Sequence, residues 1–369
     1  MNNKLNTPLF HIVKRGQIPL KKAIAIRAIA IISGILFTSI LCGVIFGENP
    51  FKAILSIFKG ALGTERNIWL LFRDTSILLG VALALVPAFK MKFWNLGGNG
   101  QIMMGALVTV AIMRSSIGTS NTLVANILMV VVSILAGAIW AVIPAIFKAL
   151  FKTNESLFTL MMNYIAVGLV SYFISKWSTN GSGVLGQIYT AHLPEIVNTH
   201  LLSIIVVAII TVLMYFYMKH SKQGYEISVV GESENTAKYI GVNVKIVTIR
   251  TLAISGAICG IIGLLLAGSI DHSINENTAN NLGFTAIMVA WLAKFDPLIM
   301  ILTSLLISFL TRGMGQVQSD FNIRNDAVTD IVIGIIYFFI IGCEFFISYK
   351  IRTRSNENKQ KTKSNKEEK

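Results

Sequence analysis

Charge is scarce in this 369-residue chain: Asp, Glu, Lys and Arg make up 14% of it, against about 25% in ordinary soluble domains. That scarcity excludes a soluble globular protein, which has far more surface to cover with ions. Cysteine is scarce too, and Cys42, Cys259 and Cys343 all lie inside apolar runs. An odd number without metal-ligand spacing excludes a disulfide framework and reads as small packing residues. The five histidines (His11, His192, His200, His220, His272) are scattered, which argues against a metal site. No phosphate-binding P-loop pattern occurs, and no catalytic constellation is visible. The chain therefore reads as no enzyme, and a pump built on it takes its energy from a partner or an ion gradient.

Hydrophobic residues account for 54% of the chain, in runs that approach the ~20 residues needed to cross a bilayer. The fold class is all-α, a polytopic integral membrane protein with about 10 transmembrane segments (8–10). The spans read at 24–46, 70–89, 97–113, 123–143, 157–174, 201–218, 251–270, 281–293, 297–310 and 328–347. The first run is too long for a signal peptide and lacks a small-residue cleavage site, so it reads as a retained span. Residues 281–293 and 297–310 are short for full crossings. They fit either ordinary spans with polar ends or re-entrant pieces lining a water-filled path.

The net charge is +14, but its placement argues for a membrane surface rather than nucleic acid. Basic residues crowd the leader before Ala28 and the tail from Lys350. With the N-terminus inside, 24 of the 32 basic residues fall on the cytoplasmic side. The expected organisation is a cytoplasmic basic leader (1–23), a transmembrane domain (24–347) and a disordered basic cytoplasmic tail (348–369). The expected location is the cell membrane, multi-pass, with both termini cytoplasmic and the ends touching anionic lipid. Residues 47–69 fit a surface helix, and 175–200 a glycine- and serine-rich loop.

Ionisable groups are nearly absent from the middles of the spans, which weighs against proton or sodium coupling and for a neutral polar substrate. Polar groups there are amides and glycines. Trp94 to Gly105 (WNLGGNGQIMMG) holds Asn95, Gly97, Gly98, Asn99 and Gln101, and a later span holds Asn163 and Tyr164. Such residues fit an unwound helix lining a substrate path, or a turn followed by a packing face. Ser255, Gly256, Gly260 and Gly263 fit close helix packing.

One long polar block, His220–Arg250, lies between apolar runs in mid-chain (cytoplasmic loop 219–250). Within it Ser233 is placed to cap a short helix, Glu234 to about Tyr239, which Gly241 stops. Glu234 and Lys238 form an i,i+4 pair on its polar face, and Ala237 and Ile240 offer an apolar contact. A short rigid helix beneath a membrane transmits a partner's movement; a plain amphipathic linker is the alternative.

The block resembles the coupling loop of permease subunits in ABC importers, in the nucleoside and simple-sugar branch that works with basic-membrane-protein lipoproteins. Four stretches carry the resemblance. They are Gly231, Ala237, Gly241 and Val244 followed by Leu252, Ser255, Gly256 and Ala257; Phe93, Asn95, Gly97, Gly100 and Gln101; Thr159, Leu160, Met161, Asn163, Tyr164, Ile165 and Ala166; and Gly283 to Pro297. The chain departs from the family pattern at Trp94, where the family has phenylalanine, and around Trp291, with Ala293-Lys294 where a glycine is common. The resemblance implies a permease that moves a substrate by alternating access, nucleosides first and ribose- or galactose-type sugars as the alternative, with an ion-coupled carrier behind them. It implies no cofactor on this chain, with ATP and Mg at the partner ATPase. The implied partners are a cytoplasmic ABC ATPase, a second homologous permease subunit and an extracellular substrate-binding lipoprotein. The residues implied for coupling to the ATPase are Gly231, Glu232, Ala237, Gly241, Val242 and Asn243.

Overall fold

A computed structural model of the chain describes residues 10–14, 19–47, 49–178, 185–195 and 198–323, and, towards the C-terminus, 331, 334–339, 341–342, 345, 347 and 349–353. It divides into two compact units, residues 64–309 and the combined segments 1–63 and 310–369.

The larger unit opens with α3 (Glu65–Lys90), α4 (Gly98–Met113), the short α5 (Ser116–Ser120), α6 (Thr122–Phe151) and α7 (Glu155–Trp177). After a loop come α8 (Leu201–His220), α9 (Lys222–Glu232), α10 (Glu234–Tyr239) and α11 (Val244–Leu265), which runs on as a π-helical turn, Leu266–Ile270. Then follow α12 (Leu282–Leu292) and α13 (Pro297–Asp320). Side chains fix most of the starts: Thr64, Asn121, Asn154, Ser221, Ser233 and Asn243 each accept a hydrogen bond from a backbone N–H of the first turn.

α11 is the central rod of this unit, wedged between α6 and α4 at small residues. A Cβ on Gly256 would stand 2.5 Å from Ala141 Cβ, and one on Gly105 2.7 Å from Gly260 Cα. The backbones approach as closely as glycine allows, as the small-residue face in the sequence requires.

The smaller unit holds α1 (Leu20–Phe46), α2 (Pro50–Leu62) and the end of α13. Ser56 Oγ donates to Asp320 Oδ2 (2.6 Å), and the rings of Phe37 and Phe339 lie 5.4 Å apart. Two five-residue strands, β1 (Phe10–Lys14) and β2 (Tyr349–Thr353), pair antiparallel. Residues 349–353 thus have structure where the tail reads as structureless; the remainder of the tail lies outside the described residues.

Among the described residues six helices are long and apolar enough to cross a membrane: α3, α6, α7, α8, α11 with its π-turn, and α13. Shorter apolar stretches are Ala28–Val44, Gly98–Met113 and Leu282–Leu292. Nine of the ten expected spans coincide with a helix; the tenth, 328–347, is described only in part, and its described residues (331, 334–339, 341–342, 345 and 347) are helical. The sequence reading stops the 297–310 segment too early. α13 continues ten residues further through the polar TRGMGQVQSD, where hydropathy fades but the helix does not. α12, with 11 residues, reaches only about 16 Å.

Candidate functional site

The chain breaks helix between α3 and α4 among buried residues. Backbone groups there have no ladder to join, so side chains must satisfy them. Asn95 is fully buried; its Oδ1 accepts from Gly97 N–H (3.0 Å) and Gln101 Nε2 (3.2 Å), and its Nδ2 donates to Ser255 Oγ on α11 (3.3 Å). Asn163 on α7 bridges the break: Oδ1 accepts from Gly100 N–H and Nδ2 donates to Leu96 C=O, both at 2.8 Å. Leu96 N–H donates to Thr159 Oγ1 (3.1 Å). Asn99 Oδ1 accepts from Gly283 N–H in the first turn of α12 (2.7 Å), where Gly98 lies against Gly283. Asn95, Gly97, Gly98, Asn99, Gln101 and Asn163 therefore form one network tying α4, α7, α11 and α12 together. Gln101 Oε1 and Trp140 Nε1 are buried without a hydrogen-bond partner among the described residues, and Trp140 Nε1 faces Gly100. Tyr164 is set apart: one residue on from Asn163 turns the helix by ~100°, and Tyr164 is 67% exposed, as Met161 and Tyr172 of the same helix are exposed.

The polar block of the sequence folds as a rigid bracket. Gly231, near the end of α9, is pressed against the C-terminal end of α3: a Cβ there would run into Lys90 C=O and stand 3.2 Å from Met91 Cα. Arg250 on α11 holds Glu226 on α9 (2.8 Å). α10 spans the six residues expected of it, capped by Ser233 Oγ accepting from Thr236 N–H (3.3 Å). Gly241 ends it at φ 86°, with Gly241 N–H bonded to Lys238 C=O and Val242 N–H to Ala237 C=O; this paired closure needs a left-handed residue, and glycine takes that conformation without strain. Asn243 then caps α11. Ala237 is buried beneath α10, while Glu232, Glu234, Lys238, Tyr239 and Ile240 face out, Tyr239 at 93%. The expected Glu234–Lys238 pair is not among the ion pairs of the described residues; both side chains stand free of α10's buried face.

At the far end of α11, about 40 Å along the rod, the segment 185–195 lies on residues 268–273. Ile188 N–H donates to His272 C=O (2.8 Å), Leu193 N–H to Gly268 C=O (3.2 Å), and Ser273 Oγ to Leu185 C=O (2.8 Å). The rings of His192 and His272 stack with centroids 4.1 Å apart. Burial, then the neighbouring His192, pushes the His272 pKa below its ordinary 6.5, against a smaller opposing pull from Glu195. Burial raises Asp271 above its ordinary 3.8, and Arg73 offsets part of that.

Sequence reasoning did not find two links. The contact of Gly231 with Lys90 carries no pattern of its own. The stack of Trp94 on Trp291 (centroids 5.5 Å, 29° between planes) joins two tryptophans that stand out in the sequence only as separate departures from a family pattern.

A family model described as the permease component of a branched-chain amino acid transport system matches residues 67–341. The chain is 27% identical over 343 residues to the guanosine ABC transporter permease protein NupP of Bacillus subtilis, covering 90% of this chain and 96% of that one. It is 26% identical to the nucleoside ABC transporter permease protein NupB of Lactococcus lactis, covering 88% and 92%. It is 27% identical to the glucose ABC transporter permease protein TsgB13 of Haloferax volcanii, covering 82% and 83%. No solved structure matches. With apolar helices of spanning length, a buried amide network at a helix break and an exposed, capped polar bracket, the chain belongs to this family of multi-pass transport permeases, whose members work with a separate ATPase and a substrate-binding protein.

Proposed function

We propose that this chain forms half of the membrane path of an ATP-driven nucleoside importer, with α9–α10 as the cytoplasmic segment that a separate ATPase grips. The observation that carries the reading is the bracket itself. α10 is capped at both ends, exposes Tyr239 and Ile240, and joins α9, whose Gly231 lies backbone-to-backbone on α3. A push on such a bracket moves the spans; a push on a loose linker is absorbed.

The amide network is the fixed hinge beside the path. Its amides bond the backbone of the break, the first turn of α12 and Ser255, so it holds an otherwise costly helix break without charge. The exposed face of α7, with Tyr164, Met161 and Tyr172, is the wall turned towards a second, homologous permease subunit, and nucleosides pass between the two. Neutral lining suits a neutral, aromatic and hydroxylated substrate. The ion pairs Lys148–Glu155 and Lys219–Asp296 lie at helix ends, Arg250–Glu226 joins the second turn of α11 to α9, and Arg73–Asp74 lies on the third turn of α3. Charge thus keeps to the outer turns of the spanning helices, which supports ATP drive over an ion gradient. In this reading both termini and the bracket are cytoplasmic, a lipoprotein delivers substrate on the other side, and ATP and Mg stay on the ATPase.

The guanosine relative, matched along 96% of its length, supports nucleosides. The glucose relative keeps a sugar permease as the second reading. Competition uptake in cells expressing the complete importer separates them: unlabelled nucleosides are expected to block uptake of labelled guanosine while ribose, galactose and glucose do not. Sugar uptake blocked by sugars alone would replace the first reading with the second.

A further inference from the structure

α3 and α12 end alike. Ala88–Phe93 reads AFKMKF and Ala290–Phe295 reads AWLAKF. In each, a lysine takes the left-handed conformation that favours glycine, Lys92 at φ 60° and Lys294 at φ 52°. The same two backbone bonds close each end: Lys92 N–H to Phe89 C=O and Phe93 N–H to Ala88 C=O, then Lys294 N–H to Trp291 C=O and Phe295 N–H to Ala290 C=O.

These turns gather four rings. Phe89 meets Trp94 edge-on (5.7 Å) and lies parallel to Phe295 (6.4 Å), Trp94 stacks on Trp291 (5.5 Å), and Trp291 meets Phe295 edge-on (5.8 Å). Trp94 and Trp291 are 44% and 50% exposed, and among the described residues neither indole N–H is hydrogen-bonded.

The cluster sits where the bracket meets the spans. Gly231 bears on Lys90 and Met91, just before Trp94, and Thr248 of α11 reaches Met91 Sδ. Beyond Trp94 the chain is anchored by Asn95 and then by Asn99 on Gly283, at the start of α12. The other links from the bracket to α12 are close backbone packing, hydrogen bonds and the more buried Phe89–Phe295 contact, whose rings are further apart. The indole pair is half-solvated, has no directional bond and bridges two left-handed turns, so it is the link that separates most easily.

We propose that the Trp94–Trp291 stack is a breakable joint of the transport cycle, closed in one state and parted in the other, through which movement of the bracket reaches α12. Both indoles are positioning residues. The inference rests on the coupling role proposed for α9–α10.

The test uses the importer complex purified through a tag on this chain, with its bound ATPase. Stacked indoles give an excitonic couplet in circular dichroism, assigned by its loss in Trp291→Phe. The couplet is expected in one of two states, nucleotide-free or trapped with ATP and vanadate, and lost in the other; an identical couplet in both overturns the joint. In Trp291→Leu the co-purified ATPase is expected at wild-type level, with hydrolysis stimulated by lipoprotein and guanosine down about fivefold or more; stimulation like that of wild type overturns the joint. If that variant does not assemble, the couplet of the wild-type complex decides. A wild-type chain that carries no ATPase overturns the coupling reading and the joint with it, whereas an ATPase-bound, transporting complex with an unchanging couplet overturns the joint alone.

Discussion

The side chain of Trp94 stacks on that of Trp291, joining the break before α4 to the end of α12. Lys90 and Met91, just ahead of Trp94, carry the contact with Gly231. One short stretch of backbone, residues 90–99, thus meets the exposed bracket at one end and α12 at the other. In the coupling role proposed for the bracket, this stretch is the route by which a push on α9–α10 reaches α12.

Replacing Gly231 by valine sets a branched side chain against the backbone of Lys90 and Met91, which has no flexible end to yield. Overpacking of this kind costs about 1–3 kcal/mol. Membrane insertion is expected to persist while co-purification of the ATPase and guanosine uptake both drop steeply. Normal co-purification in a well-inserted Gly231→Val protein would contradict the role given to the bracket.

Asn163→Leu removes both partners of the helix break and orphans Gly100 N–H and Leu96 C=O. Each buried orphan costs about 1–3 kcal/mol. The melting temperature of the purified protein should fall by several degrees and uptake should fall with it. Asn163→Asp keeps the acceptor for Gly100 but loses the donor to Leu96, so it tests the two halves separately. An unchanged melting temperature in Asn163→Leu would mean that the network does not hold the break.

Lys92 pays for its left-handed backbone, and glycine does not. Lys92→Gly should stabilise the purified protein by about 1 kcal/mol. Gly241→Ala, at φ 86°, should destabilise by a similar ~1 kcal/mol through loosening of the α10 end. Thermal unfolding in detergent checks both signs.

Much of this was legible in the sequence, and the boundary is instructive. α10 was readable to the residue because its signals are local: a serine cap, a glycine stop and six residues between them. The small-residue face of α11 was readable because periodicity alone places Ser255, Gly256, Gly260 and Gly263 on one side. The amides were recognisable as unusual, but not which backbone groups they serve, since Asn163 and Gly100 meet only through tertiary packing. The Glu234–Lys238 pair failed because exposed i,i+4 charges gain only ~0.5 kcal/mol at best from meeting. The stacked tryptophans lie far apart in the chain, and no local rule joins them.

His272 titrates abnormally for a reason that fixes the sign of a pH effect. Its folded pKa lies below 6.5, so the unfolded segment takes the proton first as pH falls, and stability drops from 6.5 downwards until the folded pKa is reached. Asp271 acts oppositely: raised above 3.8, it favours the folded state as pH falls through its folded pKa towards 3.8. The 185–195 segment should therefore loosen first on mild acidification. Hydrogen exchange at Ile188 and Leu193, corrected for intrinsic rates, should be faster at about pH 5.5 than at about pH 7.5. His272→Phe should remove most of the difference; equal protection in the wild-type protein at both values would contradict this.

The central claim is that this chain is a gate without its own motor. Guanosine accumulation by proteoliposomes tests it most directly, comparing the chain alone with the chain bound to its ATPase, second permease and lipoprotein. Accumulation is expected only in the complete set, only with ATP on the ATPase side, and unaffected when ion gradients are collapsed. Uphill accumulation by the chain alone, driven by a proton or sodium gradient, would contradict the account.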